Sequence, residues 1–292
     1  MLGIGGVIIC AMIWGTTWYA ITLQLGTVAP LASIVWRFGL AAAVLFVVCL
    51  VTKQNLRLTR AQHLAALGQG AFAFSVSYSF TYAAEGHVAS AIVAVTFASL
   101  TFLNLVLFRL IARQKAAAAS WGGAILGILG VAVLSGGEII SGGFDARAAV
   151  GVGFALIATT ASAFGNFFAW KGQNHGSAAI PSTAWAMAYG TGLLAVYGLV
   201  TGVNFSIDPT LTYVGSLLYL SLFGSVIAFG LYFTIARTIG YAMASYISAL
   251  TPPIAMLVSV VFEDARFGWT ALVGLALVLS GQALLIRAPR KD

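Results

Sequence analysis

The segment MIWGTTWYA, residues 12–20, sets Trp14 and Trp18 one helical turn apart around Gly15 and two threonines. It has an echo in SAFGNFFAW, residues 162–170, where Phe164, Gly165 and Phe168 follow in the same order at an offset of 150 (164 − 14). Other pairs keep that offset at 150 or 151: Pro30 with Pro181, Phe38-Gly39 with Tyr189-Gly190, Leu100-Thr101 with Leu250-Thr251, and Gly123 and Gly130 with Gly274 and Gly281. One such pair in a chain with 33 glycines carries little weight. A near-constant offset across four helix pairs marks an internal repeat.

Of the 292 residues, 61% are hydrophobic and 7% charged, and the mean hydropathy is +1.00, which excludes an ordinary soluble domain. Apolar runs long enough to cross a ~30 Å hydrocarbon core recur ten times, at 3–23, 30–51, 62–83, 88–108, 118–136, 149–170, 180–201, 212–235, 242–262 and 268–287. The first is expected to remain as a helix, because no lysine or arginine precedes it and no small-residue cleavage pattern follows a short apolar core. Two copies of five spans, 1–137 and 148–288, must cross in opposite senses because five is odd. The expected fold is therefore all-α and integral to the membrane: ten transmembrane helices as two inverted five-helix repeats. Such symmetry gives two arrangements of similar energy, each open to one side around a midplane site, and so points to transport by alternating access.

The net charge of +7 is distributed in a way that excludes nucleic acid as its reason. Eleven cations (Lys53, Arg57, Arg60, Arg109, Arg113, Lys115, Lys171, Arg237, Arg287, Arg290, Lys291) fall in even-numbered connections and the C-terminal tail, and two (Arg147, Arg266) in odd-numbered ones. By the positive-inside rule the even side and both termini are expected in the cytoplasm. Six acidic residues, Glu85, Glu138, Asp145, Asp208, Glu263 and Asp264, fall on the other side. Cys10 and Cys49 lie within spans with nothing cationic nearby, and read as packing residues.

In Trp14-Gly15-Thr16-Thr17-Trp18, in Arg37-Phe38 of the second span, and in the glycine-rich fifth and tenth spans, the chain resembles the drug/metabolite transporter (DMT) superfamily, and within it the EamA family. The resemblance covers the whole chain, and its overall character is most similar to YddG-type exporters of aromatic amino acids. It implies a basket of ten helices, with helices 1–4 and 6–9 around a central cavity and helices 5 and 10 as supports. It also implies export of amino acids and related metabolites from a bacterial inner membrane.

Residue chemistry supplies its own candidates. Arg37 is the one cation well inside a span, where it either holds a substrate carboxylate or caps helix carbonyls; its repeat mate is Ala188. Ser75, Tyr78 and Tyr82 share a helical face, and Tyr232 is their counterpart in the eighth span. Rings bearing hydroxyls suit a pocket for apolar or aromatic groups with polar ends, while helix-to-helix hydrogen bonding is the alternative. Trp14 and Phe164 are expected in the cavity wall, with Trp18 divided between cavity and interfacial belt. Asn166 must find a partner in a medium without water, as must Asn104. Pro252-Pro253 free the carbonyls of Ser248 and Ala249, so the ninth span is expected to kink or break; the fourth, lacking prolines, is expected to be straight.

No Asp, Glu or His lies in the middle of any span, which predicts transport uncoupled from protons. Nothing resembles a nucleophile with a base, the histidines do not cluster as metal ligands, and no cofactor is implied. The expected function is export of aromatic or large neutral amino acids, the alternatives being efflux of cationic or aromatic drugs, for which the rings offer cation-π contacts, or a membrane receptor or enzyme. The oligomeric state stays open.

Overall fold

The computed structural model describes residues 4–111, 113, 117–140, 145–238 and 241–287. Its described part is a bundle of helices without strands. In chain order, α1 is Ile4–Thr22, α2 Pro30–Val51, α3 spans 60–85, α4 Ser90–Leu110, α5 Ala118–Ile140, α6 Ala146–Asn174, α7 Ala179–Val200, α8 spans 211–238, α9 Tyr241–Phe262 and α10 Trp269–Arg287. These match the apolar spans to within about one turn. Seven of the described helices are individually long and apolar enough to cross a membrane, and shorter apolar stretches occupy Leu250–Phe262 and Trp269–Leu284.

Helix starts follow local chemistry. Pro30 opens α2 where its missing N–H costs nothing. Thr59 and Gln62 form a capping box at α3, and the Thr210 side chain accepts from Tyr213 N–H at α8. Just before it, the Asp208 carboxylate accepts the Thr210 N–H at 3.0 Å, which holds that carboxyl below the usual carboxylate range.

Two helices depart from α geometry at matching places. In α3, Gly70–Val76 is π-helical, and in α8, Tyr219–Ile227. Within each, a serine hydroxyl donates to the carbonyl five residues earlier: Ser75 to Gly70 at 3.1 Å, and Ser225 to Leu220 at 2.9 Å. Both serines and both carbonyls are 150 residues apart (225 − 75, 220 − 70).

The proline-bearing helix and its counterpart reverse the sequence expectation. Helix α9 runs unbroken with Pro252 and Pro253 inside it, whereas α4 is interrupted at Ala98-Ser99 between Ser90–Phe97 and Leu100–Leu110. The α4 interruption is stabilised locally and at a distance. Ser99 Oγ donates to the Thr96 carbonyl (2.6 Å), and the Ala98 carbonyl accepts from Gln282 Nε2 of α10 (3.2 Å). Ala98-Ser99 is offset by 150 from Ser248-Ala249, the pair whose carbonyls the prolines free.

Helices α5 and α10 pack backbone to backbone. A Cβ on Gly130 would lie 2.6 Å from the Gly274 carbonyl oxygen, and one on Gly281 would lie 2.5 Å from that of Gly123. Only glycine permits this approach. A second close approach joins α3 to α7, where a Cβ on Gly70 would meet the Ala186 oxygen at 2.3 Å. Beside it, Phe38 and Phe74 meet with ring centres 5.1 Å apart in the main core.

The two ends of the bundle differ. At the basic end, with Arg57, Arg60 and Lys171, Gln62 Nε2 reaches the His175 carbonyl and Trp185 Nε1 that of Leu56. The acidic end carries Glu85, Asp208, Glu263 and Asp264. There Tyr213 meets Ser33, Arg147 Nη2 donates to the Gly86 carbonyl, and Ser90 Oγ to Glu263.

Candidate substrate cavity

Between these ends lies a cavity of about 140 Å³, walled by α1, α2, α3, α4, α6, α8 and α9. That is some ten times the ~10–15 Å³ one water needs, so a small metabolite is the scale of occupant it suits. Six rings line it: Trp14, Trp18, Tyr78, Phe97, Phe229 and Tyr232. Trp14 packs its ring against Phe229 and Tyr232 at 5.3 and 5.4 Å, and its Nε1 donates to the Gly224 carbonyl at 3.2 Å. Gly224 belongs to the π-helical stretch of α8, so an irregular helix holds the ring from α1.

Arg37 enters this wall from α2. It is 1% exposed, its Nε donates to Ser225 Oγ at 3.2 Å, and its guanidinium lies over the rings of Tyr78 (4.7 Å) and Phe38 (5.1 Å). Nη1 is buried with no acceptor among the described residues. Trp18, whose ring rests on Phe97 at 4.8 Å, likewise buries Nε1 without an acceptor. Both atoms can only donate.

The polar remainder sits at mid-depth. Asn166 Nδ2 donates to Asn104 Oδ1 at 3.4 Å, joining α6 to α4, and Ser162 meets Ser77 at 2.7 Å. Ser248, Thr251 and Pro252 present α9 to the same space. No carboxylate lines the cavity, and no group of three or more His, Cys, Asp or Glu able to hold a metal occurs among the described residues.

Of the sequence-expected residues, Trp14, Arg37, Tyr78, Asn166, Tyr232 and Pro252 therefore meet around one space. Three do not. Phe164 lies against Phe72 (5.4 Å), outside the cavity wall, where α6 contributes Ser162 and Asn166 on either side of it. Tyr82 is buried one turn beyond Tyr78 toward the acidic end and donates to Gln24 Oε1 at 2.7 Å. Pro253, next to Pro252, is not in the wall. Trp18 resolves to the cavity, and Phe97 and Phe229 join it without any sequence signal beyond being aromatic.

Glu85 changes the premise about acidic groups. Sequence position puts it in a turn after the third span, yet it ends α3 with 7% exposure and no hydrogen-bond partner at either carboxylate oxygen among the described residues.

Known proteins agree with the helical bundle. The profile of the EamA-like transporter family matches residues 1–136 and again 149–287. The chain belongs to the EamA-like transporter family. YedA, an uncharacterized inner membrane transporter of Escherichia coli strain K12, is 27% identical over 252 residues, covering 84% of this chain and 78% of YedA. An uncharacterized transporter of Archaeoglobus fulgidus is 22% identical over 275 residues, covering 94% and 95% of the two chains. One solved crystal structure has the same fold, with a TM-score of 0.71 at 17% identity, covering 96% of this chain and 95% of its own. Membership of this EamA-like, DMT-superfamily group makes the protein a membrane transporter of small molecules.

Proposed function

We propose that the protein exports amino acids with aromatic or large neutral side chains by alternating access, from the basic, cytoplasmic end to the acidic, outer end of a bacterial inner membrane. The observation that carries this reading is the pair of buried donors without acceptors among the described residues, Arg37 Nη1 and Trp18 Nε1, in a cavity lined by six rings. A buried cation and an indole N–H that lack acceptors favour a ligand that brings them, and a carboxylate is the strongest such group. The rings of Trp14, Phe97, Phe229 and Tyr232 suit an apolar or aromatic side chain, and Asn166 with the α9 turn at Ser248 suits the amine.

Cationic drugs fit this wall less well, because Arg37 places a positive charge in it and no carboxylate offsets that charge there. Alternating access draws support from the matching π-helical stretches and the glycine pairs of α5 and α10, which recur at the repeat offset as an inverted repeat requires. Counterflow in proteoliposomes tests the reading: unlabelled amino acids inside, trace labelled tryptophan, phenylalanine, alanine and glutamate outside. Selective accumulation of the large neutral labels, reduced several-fold by Trp18→Phe, is the expected result. Accumulation of none of them, with accumulation of an aromatic cation instead, would transfer the protein to drug efflux.

A further inference from the structure

Helix α3 carries Tyr78, Tyr82 and Glu85 along one face, so a line of polar groups runs from the cavity to the acidic end. Tyr78 stacks on Arg37, and Tyr82 is bonded to Gln24. Glu85 closes the line with a buried carboxyl that receives no hydrogen bond among the described residues. A second carboxyl at this end, Glu263 at the end of α9, is close enough for its charge to disfavour ionisation of Glu85.

The two acids are treated oppositely by their surroundings. Glu263 accepts from Ser90 Oγ at 2.6 Å, from the Ser90 N–H at 3.4 Å and from Ser259 Oγ, so three donors support its charge. These bonds fasten the start of α4 to the end of α9. Glu85 has no such support. Of the other charged or titratable groups at this end, Arg37 of α2 acts on Glu85, Tyr78 and Tyr82 precede it on α3, His87 contacts the Ala83 carbonyl, and the guanidinium of Arg147 of α6 is engaged with the Gly86 carbonyl. Gln24 of α1 offers no charge. An ionised carboxylate in such a place has lost its water, gained no donor and faces another anion.

On the reading of the chain as an alternating-access transporter, we propose that Glu85 is a proton-binding site that latches the acidic end. While the α3–α4 and α9 ends are together it holds a proton as the neutral acid, and Glu263 keeps its bonds to Ser90 and Ser259. When they part, Glu85 meets water and gives that proton up (COOH + H₂O to COO⁻ + H₃O⁺). Closing requires the reverse transfer. Acid on that side therefore favours closure, and alkali favours opening.

Spin labels on Gly86 and Arg266, both exposed at this end, would report the separation in lipid nanodiscs without any substrate, in a chain with Cys10 and Cys49 replaced by alanine. Between about pH 5 and about pH 9 the ratio of the long-distance to the short-distance population should rise roughly tenfold or more in the parent chain. Glu85→Gln should keep the short distance throughout, while Glu85→Asp should retain the response. A pH-independent distribution in the parent chain, or an unchanged pH response in Glu85→Gln, would overturn the proposal. So would a Glu85→Gln chain that fails to fold, since glutamine reproduces the shape and neutrality of the protonated acid. Amino-acid counterflow by the same preparation separates the two readings: transport with no pH-dependent distance refutes the latch alone, and a pH-dependent distance with no amino-acid transport refutes the substrate class alone.

Discussion

The two halves of the chain share backbone irregularities and differ in side-chain chemistry. Ser75 and Ser225 close equivalent π-helical turns, α4 is interrupted at the place where two α9 carbonyls lose their donors, and Gly130 meets Gly274 as Gly281 meets Gly123. At the cavity the equivalence ends. Arg37 answers to Ala188, Tyr78 to Ala228, and Trp14 in the wall to Phe164 outside it. Under the proposed function, backbone symmetry serves a motion between two similar arrangements, and side-chain asymmetry serves an asymmetric ligand whose carboxylate is held in one place.

The largest effect expected from this contrast is at Arg37. Arg37→Gln keeps a polar side chain but shortens it, and removes the charge and the donor without an acceptor. A charged hydrogen bond contributes about 1.5–3 kcal/mol, so amino-acid counterflow should fall roughly 10- to 100-fold while the protein remains monodisperse. Ala188 faces no equivalent demand, so Ala188→Ser should leave counterflow within about twofold of the parent. Equal losses at the two positions would mean that Arg37 serves packing alone.

Where the halves are equivalent, they should respond alike. Gly130→Ala and Gly281→Ala each drive a methyl to within 3 Å of a facing carbonyl oxygen on the partner helix. Each should destabilise by about 1–3 kcal/mol, read as matched decreases in thermal midpoint in detergent. A large decrease for one and none for the other would break the symmetry of the α5–α10 pair.

How much of this was legible in the sequence depended on the kind of signal. Hydropathy gave the helices, because burial in lipid demands about 20 apolar residues whatever they pack against. The repeat offset found the glycine pairs, since only a missing side chain allows carbonyl contact. Helical periodicity placed Tyr78 and Tyr82 on one face but gave no account of depth, so one reached the cavity and the other reached Gln24. Phe164 misled in a similar way: it matches Trp14 at the repeat offset, but α6 lines the cavity with Ser162 and Asn166, each two residues from Phe164 and so on nearly the opposite side of the helix. The interruption of α4 was invisible because no proline or glycine marks it, and the bonds that accompany it come from Ser99 and from Gln282, 184 residues away from Ala98. Glu85 sits by sequence in a polar turn, and only the folded packing of the bundle buries it.

Trp14 and Phe164 provide a smaller test of the same asymmetry. Trp14→Leu removes the ring from Phe229 and Tyr232 and the Nε1 bond to the Gly224 carbonyl. A neutral hydrogen bond and an aromatic contact contribute about 1 kcal/mol each, so counterflow should drop about fivefold or more. Phe164→Leu loses its ring contact with Phe72 outside the wall, and should lower stability slightly with transport within about twofold of the parent. The reverse order would place the substrate against α6 rather than α1.

The smallest effect separates the two serines. Ser75→Ala and Ser225→Ala each remove the hydroxyl that closes a π-helical turn, and each should cost about 0.5–1.5 kcal/mol of stability. The hydroxyls differ in their second partner: Ser75 also donates to the Gly190 carbonyl at 3.0 Å, whereas Ser225 accepts from Arg37 Nε at 3.2 Å. Losing Ser225 frees the guanidinium to turn away from the cavity, so the concentration of amino acid needed for half-maximal counterflow should rise in Ser225→Ala and stay near the parent value in Ser75→Ala. If both variants shift it equally, the π-helical turns influence transport through helix geometry in both halves alike, and the positioning of Arg37 by Ser225 has no separate role.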